Sequence, residues 1–313
     1  MSFSGNIKEE LLHVTGSARH CQLAELAALY RFCGRAEEAE TGRYIVRFQT
    51  ENKIVARKTF TLLKKTFKID SDVTTRCNRV QSGGLIYILR IEHPKEACRI
   101  LEALKIMDGS GTLSGSRQAD ALLIRNSCCK RAFLRGAYLA AGSMSDPYKG
   151  YHLELVCTGE EQAQQLSGLL HDFELDAKTV RRKKYFVVYM KEGENIADFL
   201  NIIEAHKALM EFENTRIYKG MRNMVNRKVN CEAANITKTV NAAARQVEDI
   251  QYIQKVYGLD NLPQGLREMA YVRLENPEAA LGELGKLLDP PVGKSGVNHR
   301  LRKIGEFAQQ LKG

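Results

Sequence analysis

A chain of 313 residues with 44% hydrophobic content suits about two or three packed domains, which excludes a wholly disordered protein. No apolar run reaches the roughly 18 residues of a membrane span, and the start MSFSGNIKEELL lacks the basic-then-apolar order of an export signal, so a cytoplasmic protein without membrane contact is expected. The 47 Lys and Arg against 37 Asp and Glu give a formal charge of +10, dispersed rather than gathered in a tail, which favours a polyanionic partner without identifying it.

In chain order, a helix around Ile7–Leu12 is followed by one over Cys21–Cys33, where Leu23, Leu26, Ala27, Leu29 and Tyr30 keep helical spacing. RYIVRFQ, Arg43–Gln49, alternates as a strand with Tyr44, Val46 and Phe48 on one face. A helix over Lys53–Phe67, strands near Asp72–Asn78 and Leu85–Glu92, and a helix from Pro94 to about Met107 complete the unit. Asp108–Ser116 is glycine- and serine-rich loop; it lacks the GK[ST] of a phosphate-binding loop.

The pattern then recurs about 107 residues later. The helix Lys130–Ala141 answers Cys21–Cys33, strand Tyr151–Cys157 answers Tyr44–Thr50, and helix Glu160–Phe173 answers Lys53–Phe67. Thr61–Val73 and Gly168–Val180 both read as helix end, turn and strand, and strand Tyr185–Lys191 and helix Asn195–Glu211 close the second unit. Both leading helices are small-residue-rich and end in glycine: LAALYRFCG, Leu26–Gly34, and LRGAYLAAG, Leu134–Gly142.

Eight cysteines stand at Cys21, Cys33, Cys77, Cys98, Cys128, Cys129, Cys157 and Cys231, with no CxxC and no Cys/His ladder at zinc spacing. Reduced, mostly buried thiols and no metal or other cofactor are expected; the doublet Cys128–Cys129 reads as one buried and one less buried position.

The duplicated half resembles the LAGLIDADG homing-endonuclease fold, in which two motif helices pack along a pseudo-twofold axis beneath two four-stranded sheets forming a saddle for DNA. On that resemblance Ala27, Ala28 and Gly34 face Gly136, Ala140 and Gly142, where close backbones tolerate no bulk. Active members carry an acid before each terminal glycine, because two-metal hydrolysis needs hard oxygen ligands. Here those degenerate motif positions are Cys33 and Ala141, so no catalytic and no metal-binding residue is expected. Glu37, Glu38 and Asp146 follow a few residues later, in what read as solvated turns. A saddle that no longer cuts can still bind: the strand basics Arg43, Arg47, Arg76 and Arg79, and the run Arg181, Arg182, Lys183, Lys184 beside Tyr185, are candidate contacts, with a plain solvated strand face as the alternative for each.

Beyond residue 211 the texture changes. Residues 212–230 are basic and weakly periodic, and read as a linker with a helical start. A long helix is expected over Asn235–Tyr257, with Val240, Ala243, Val247, Ile250 and Ile253 on one face and Gly258 as its stop. A helix after Pro263 runs to about Glu275, and a further one over Pro277–Leu288 leads through the turn Asp289–Gly293 into a last helix from about Ser295. There Val297, Leu301, Ile304 and Ala308 form the apolar stripe, leaving Lys294, Ser295, Asn298, His299, Arg300, Arg302 and Lys303 outside it. Arg and Asn read guanine and adenine edges, and a basic helix after a helix and turn is what a helix-turn-helix reader offers the major groove. GKS at Gly293–Ser295 is no P-loop, since Leu288 occupies the first glycine's place.

The whole chain resembles the WhiA family of bacterial regulators, most specifically through MVNRKVNCEAANITKTVNAAARQ, Met224–Gln246, and KSGVNHRLRKI, Lys294–Ile304. The resemblance implies an α+β, pseudo-twofold two-repeat LAGLIDADG-like domain over 1–211 (repeats 1–107 and 119–211), the linker 212–230, and an all-α helix-turn-helix domain over 231–313. It implies sequence-specific binding of double-stranded promoter DNA, in transcription, cell division, chromosome segregation and, in sporulating relatives, sporulation. It further implies a cytoplasmic, nucleoid-associated protein without nuclease activity, with RNA polymerase or another regulator as a further partner. An RNA-binding maturase-like protein and a residual homing endonuclease are the alternatives.

Overall fold

A computed structural model describes residues 2–39, 43–69, 72–77 and 85–313, and the chain divides into two compact units, Met1–Lys219 and Gly220–Gly313. The first unit opens with α1 (Phe3–His13), where the Gly5 amide donates to the Ser2 hydroxyl cap at 3.2 Å. The first repeat continues through α2 (Arg19–Cys33), β1 (Gly34–Ala39), β2 (Arg43–Thr50), α3 (Lys53–Phe67), β3 (Asp72–Cys77), β4 (Leu85–Ile91) and α4 (Pro94–Ala103). The second runs through α5 (Ser127–Ala141), β5 (Gly142–Met144), β6 (Leu153–Cys157), α6 (Glu160–His171), β7 (Lys178–Arg182), β8 (Tyr185–Met190) and α7 (Gly193–Ile202).

Each repeat builds an antiparallel four-stranded sheet, of order β1-β2-β4-β3 and β5-β6-β8-β7. The registers correspond: Gly34 pairs with Phe48 in the first sheet, and Gly142 with Leu155 in the second. Val46, Phe48, Leu89 and Ile91 line the helix-facing side of the first sheet, and Leu153, Leu155, Val188 and Met190 that of the second. One continuous core joins the two repeats across α2 and α5, whose Leu26, Leu29, Leu134 and Leu139 are fully buried. Each such leucine contributes about 1.5–3 kcal/mol of transfer free energy.

Small residues let these two helices meet. A Cβ on Gly136 would lie 2.6 Å from the Glu25 carbonyl oxygen and 2.8 Å from the Ala28 Cβ, so only glycine fits at the crossing. The two terminal glycines are required by their own tyrosines: a Cβ at Gly34 would come within 2.5 Å of the Tyr30 ring, and one at Gly142 within 2.4 Å of the Tyr138 ring. A buried ionic network also ties the helices. Glu25 on α2 meets Lys58 of α3 at 3.1 Å and Arg135 of α5 at 3.2 Å, and Arg135 reaches Glu204 at 2.8 Å. Lys58 also donates to the carbonyls of Leu11, at 2.9 Å, and Val14. Burial pushes the Lys58 ammonium below its ordinary range, and the facing Glu25 carboxylate pulls it back.

The second unit takes up α8 (His206–Val256), which begins in the first, and adds α9 (Gln264–Glu275), α10 (Leu281–Lys286) and α11 (Lys294–Lys312). Its core gathers Ile250 and Ile253 of α8, Met269 and Ala270 of α9, Leu284 of α10, and the α11 stripe Val297, Leu301, Ile304 and Ala308. Gly285 sits under the following turn, where a Cβ would lie 2.1 Å from the Val292 carbonyl oxygen, and its own carbonyl accepts from the Val292 amide at 2.9 Å.

Several elements depart from the expected boundaries. Glu37 and Glu38 are not in a loop: they belong to β1, an edge strand held by pairing with β2 despite having no β-branched residue. The helix expected over Asn195–Glu211 breaks after Ile202, where Glu204 takes φ 66° and the Ala205 amide bonds back to Leu200. The first repeat ends α4 alike, with Lys105 at φ 54° and the Ile106 amide on Leu101. Residues 212–230 are helical throughout, within α8. The stripe on α8 starts at Ala243, since Val240 is exposed. The helix expected over Pro277–Leu288 shrinks to α10, because Arg273 donates to the Ala279 carbonyl and holds the preceding residues in a turn.

Candidate nucleic-acid interface

On the side of the first sheet away from its helices, register brings arginines together. Arg47 at the centre of β2 pairs with Arg35 of β1 on one side and Arg90 of β4 on the other. Like charges directly opposite destabilise a sheet, and the neighbouring acids answer them only in part. Arg47 contacts Glu37 at 3.1 Å and donates to the Gln49 side-chain oxygen at 2.7 Å; Arg90 lies 3.3 Å from Glu92, and Arg35 is exposed. Arg43 opens β2 opposite Ala39, Arg76 pairs with Ile86, and Arg79 lies outside the described residues.

The equivalent row of the second sheet is Ser143, Glu154, Tyr189 and Lys178. Glu154 sits where Arg47 sits, and its carboxylate gathers His152 at 3.2 Å and Arg182 at 3.3 Å. Strand alternation therefore separates the two arginines read together from sequence. Arg182 shares Glu154's face, whereas Arg181 turns to the other, over the Phe186 ring at 5.9 Å and into a cleft with Glu160, His171 and Asp172. Lys183 and Lys184 form the exposed β7–β8 turn, with Lys184 over Tyr185.

At the C-terminal ends of the motif helices, the Cys33 thiol donates to the Leu29 carbonyl at 2.9 Å, and burial pushes its pKa up to about 12. A neutral thiol and the Ala141 methyl offer no hard oxygen ligand. Of the nearby acids, Glu37 is held by Arg47 and Asp146 accepts from the Tyr148 amide at 2.9 Å, while Glu38 is exposed on β1.

On α11 the faces separate cleanly. Lys294, Ser295, Asn298, His299, Arg302 and Lys303 are all exposed, and Lys294, Asn298 and Arg302 follow one another at four-residue spacing along a single line. Arg302 is engaged only at the surface, 3.4 Å from Glu306. Arg300 differs: it lies half-buried against α9 and donates to the Gly265 carbonyl at 3.4 Å. Below this face, Tyr257 stacks edge-on to Phe307 at 5.1 Å and Lys312 meets Asp249 at 2.9 Å, fixing α11 on α8.

Three family models match in succession: the WhiA N-terminal LAGLIDADG-like domain over residues 19–107, the WhiA LAGLIDADG-like domain over 130–222, and the WhiA C-terminal HTH domain over 225–308. A probable cell division protein WhiA of Lachnoclostridium phytofermentans is 50% identical over 100% of both chains, and one of Alkaliphilus oremlandii is 48% identical over 100% of this chain and 98% of its own. The chain belongs to the WhiA family. The crystal structure of full-length DUF199/WhiA from "Thermatoga maritima" matches at a TM-score of 0.60 and 27% identity, covering 99% of each chain. The architecture is thus the expected one, an α+β two-repeat LAGLIDADG-like half followed by a helical helix-turn-helix half.

Within this WhiA chain the sequence pattern missed Arg35 and Arg90. Neither stands out along the chain, because the row exists only across strands; the alternation of RYIVRFQ placed Arg47 on the outer face but gave no register. No helix among the described residues is long and apolar enough to cross a membrane.

Proposed function

We propose that the chain is a sequence-specific, double-stranded-DNA-binding regulator of transcription acting in cell division, as the names of its WhiA relatives suggest. The exposed line Lys294, Asn298 and Arg302 on α11 carries this reading, because it opposes a fully buried stripe and offers donors that read guanine and adenine edges. Asn298 and Arg302 read bases, with Ser295 and His299 beside them; Lys294 and Lys303 neutralise phosphates. The sheet basics Arg43, Arg47 and Arg182 add phosphate contacts; Arg181 stands exposed on the opposite face of β7, and Arg300 serves packing. Domain limits of 1–211 and 231–313, chromosome segregation, sporulation in sporulating relatives, a nucleoid location in the cytoplasm, and RNA polymerase or another regulator as second partner belong to the same reading. So does the absence of nuclease activity, which the thiol and methyl at Cys33 and Ala141 favour.

The test is to capture sheared genomic DNA on the purified chain with magnesium present and to sequence the bound fragments and their ends. Intact fragments sharing a motif are expected, with Arg302→Ala and Asn298→Ala each losing about 1–3 kcal/mol on that motif. Arg300→Ala is expected to lower stability rather than change the preferred bases. New ends inside enriched fragments, or unchanged specificity in both α11 variants, sink the reading.

A further inference from the structure

At the other end of the motif helices the fold assembles a group of side chains that no role in DNA binding uses. His20 and Cys21 stand in the first turn of α2, and Cys128 and Cys129 in the first turn of α5. Their four ligating atoms all lie within 4.8 Å of one another. The His20 Nδ1 is 3.4 Å from the Cys21 sulfur, 3.1 Å from that of Cys129 and 4.0 Å from that of Cys128. Zinc bound tetrahedrally, with bonds of about 2.3 Å to sulfur and 2.0–2.1 Å to nitrogen, sets neighbouring ligand atoms roughly 3.6 Å (N to S) or 3.8 Å (S to S) apart. The three nitrogen–sulfur distances bracket that edge. The thiols are free, so none is held in a disulfide.

We propose that His20, Cys21, Cys128 and Cys129 hold one zinc ion that staples the two repeats together. Three features of the surroundings fit. The sulfurs lie at the N-terminal ends of two 15-residue helices, whose dipoles favour thiolate over thiol. Cys21 and Cys129 pack with Ala24 and Ala132 in a small apolar cluster separate from the main core, which shields the metal–sulfur bonds. Four protein ligands also close the tetrahedron, as in structural rather than catalytic zinc sites. Three thiolates, a neutral imidazole and a divalent ion sum to one negative charge, which the helix ends offset.

Position agrees with a structural role. Cys21 and Cys129 are repeat equivalents, 108 positions apart like Gly34 and Gly142, and His20 and Cys128 are another such pair, so the site straddles the pseudo-twofold axis. It lies about 18 Å, twelve residues of helical rise, from the degenerate positions Cys33 and Ala141, too far to take part in chemistry there. The ion instead pins the N-terminal ends of α2 and α5, a job the buried Glu25–Arg135 pair does farther along.

The proposal stands apart from the DNA-binding reading and is tested on the full chain without DNA. Elemental analysis of protein purified under reducing conditions should find about one zinc per chain. Cys128→Ser, at an exposed position, should lose the ion while keeping a native far-ultraviolet circular dichroism spectrum; Cys231→Ser, on α8, should keep the ion. Cobalt added to chelator-stripped chain should give the visible d–d bands of tetrahedral thiolate-bound cobalt, and His20→Cys should preserve tetrahedral binding with altered band positions, where His20→Ala abolishes it. Zinc no higher than in a Cys21→Ser/Cys128→Ser/Cys129→Ser variant, together with no cobalt bands, overturns the proposal. So does stoichiometric iron in place of zinc, or a Cys21–Cys128 disulfide in chain alkylated directly from cells.

Discussion

The two sheets share strand order and register yet carry different chemistry on their outer faces. Across β1, β2 and β4 stand Arg35, Arg47 and Arg90; at the matching places across β5, β6 and β8 stand Ser143, Glu154 and Tyr189. The inner faces did not diverge in this way: Phe48 and Leu155, Ile91 and Met190 remain apolar on both sides. Packing constrains the inner residues because any polar substitution there is left buried and unpaired. The outer residues answer only to what they meet. Joining both repeats in one chain lets each face be tuned alone, which a symmetric dimer of identical subunits does not allow.

The ionic network sharpens this asymmetry and gives the largest expected effect. Glu25 of the first repeat is buried against Lys58 of its own repeat and Arg135 of the second, while its counterpart region in α5, around Ala132 and Phe133, is apolar. Glu25→Ala leaves the buried Lys58 without its anion and Arg135 with Glu204 alone, and should cost about 3–5 kcal/mol, read as a lowered urea midpoint of the first unit. Retained stability would mean that solvent or Glu204 compensates, and that the repeats are not locked through this group. Next in size is Gly136→Ala. Its new methyl meets the Glu25 carbonyl and the Ala28 side chain, so forcing α2 and α5 apart should cost about 1–3 kcal/mol. Ala28→Gly, on the opposite wall of the same crossing, relieves the clash and should restore part of the loss in the double variant.

What could be read in the chain was whatever repeats with a helical or strand period. The duplication, the α11 stripe and the inner face of β2 all follow from apolar spacing. Edge strands β1 and β5 escaped because GRAEEA and GSM have no strand propensity of their own; pairing with a central strand decides them. The breaks at Lys105 and Glu204 escaped because neither is the glycine or asparagine that usually marks a left-handed helix end. Arg300 looked equivalent to Arg302 from composition, yet two positions round a helix turn one toward α9 and the other to solvent. The His20–Cys21 and Cys128–Cys129 doublets carry no zinc spacing in one dimension. Only the parallel packing of two helix starts from different repeats brings them together.

The smallest effect probes the outer rows directly, at two structurally equivalent positions of opposite charge. If the first sheet contacts phosphates, Arg47→Ala removes one counterion-releasing contact, and the slope of log affinity against log salt should fall in magnitude by roughly 1 for every DNA sequence tested alike. Glu154→Gln at the matching place removes a negative charge and weakens the hold on Arg182, so it should raise affinity at low salt and leave base preference untouched. Fluorescence anisotropy over a salt series separates the two. Equal and opposite changes would mean that both sheets face the duplex. A response to Arg47→Ala alone would assign the contact to the first sheet, with the second kept neutral by its own ion pairs. No response from either would remove both sheets from the interface and leave binding to α11, whose Asn298 and Arg302 variants change base preference rather than the salt slope.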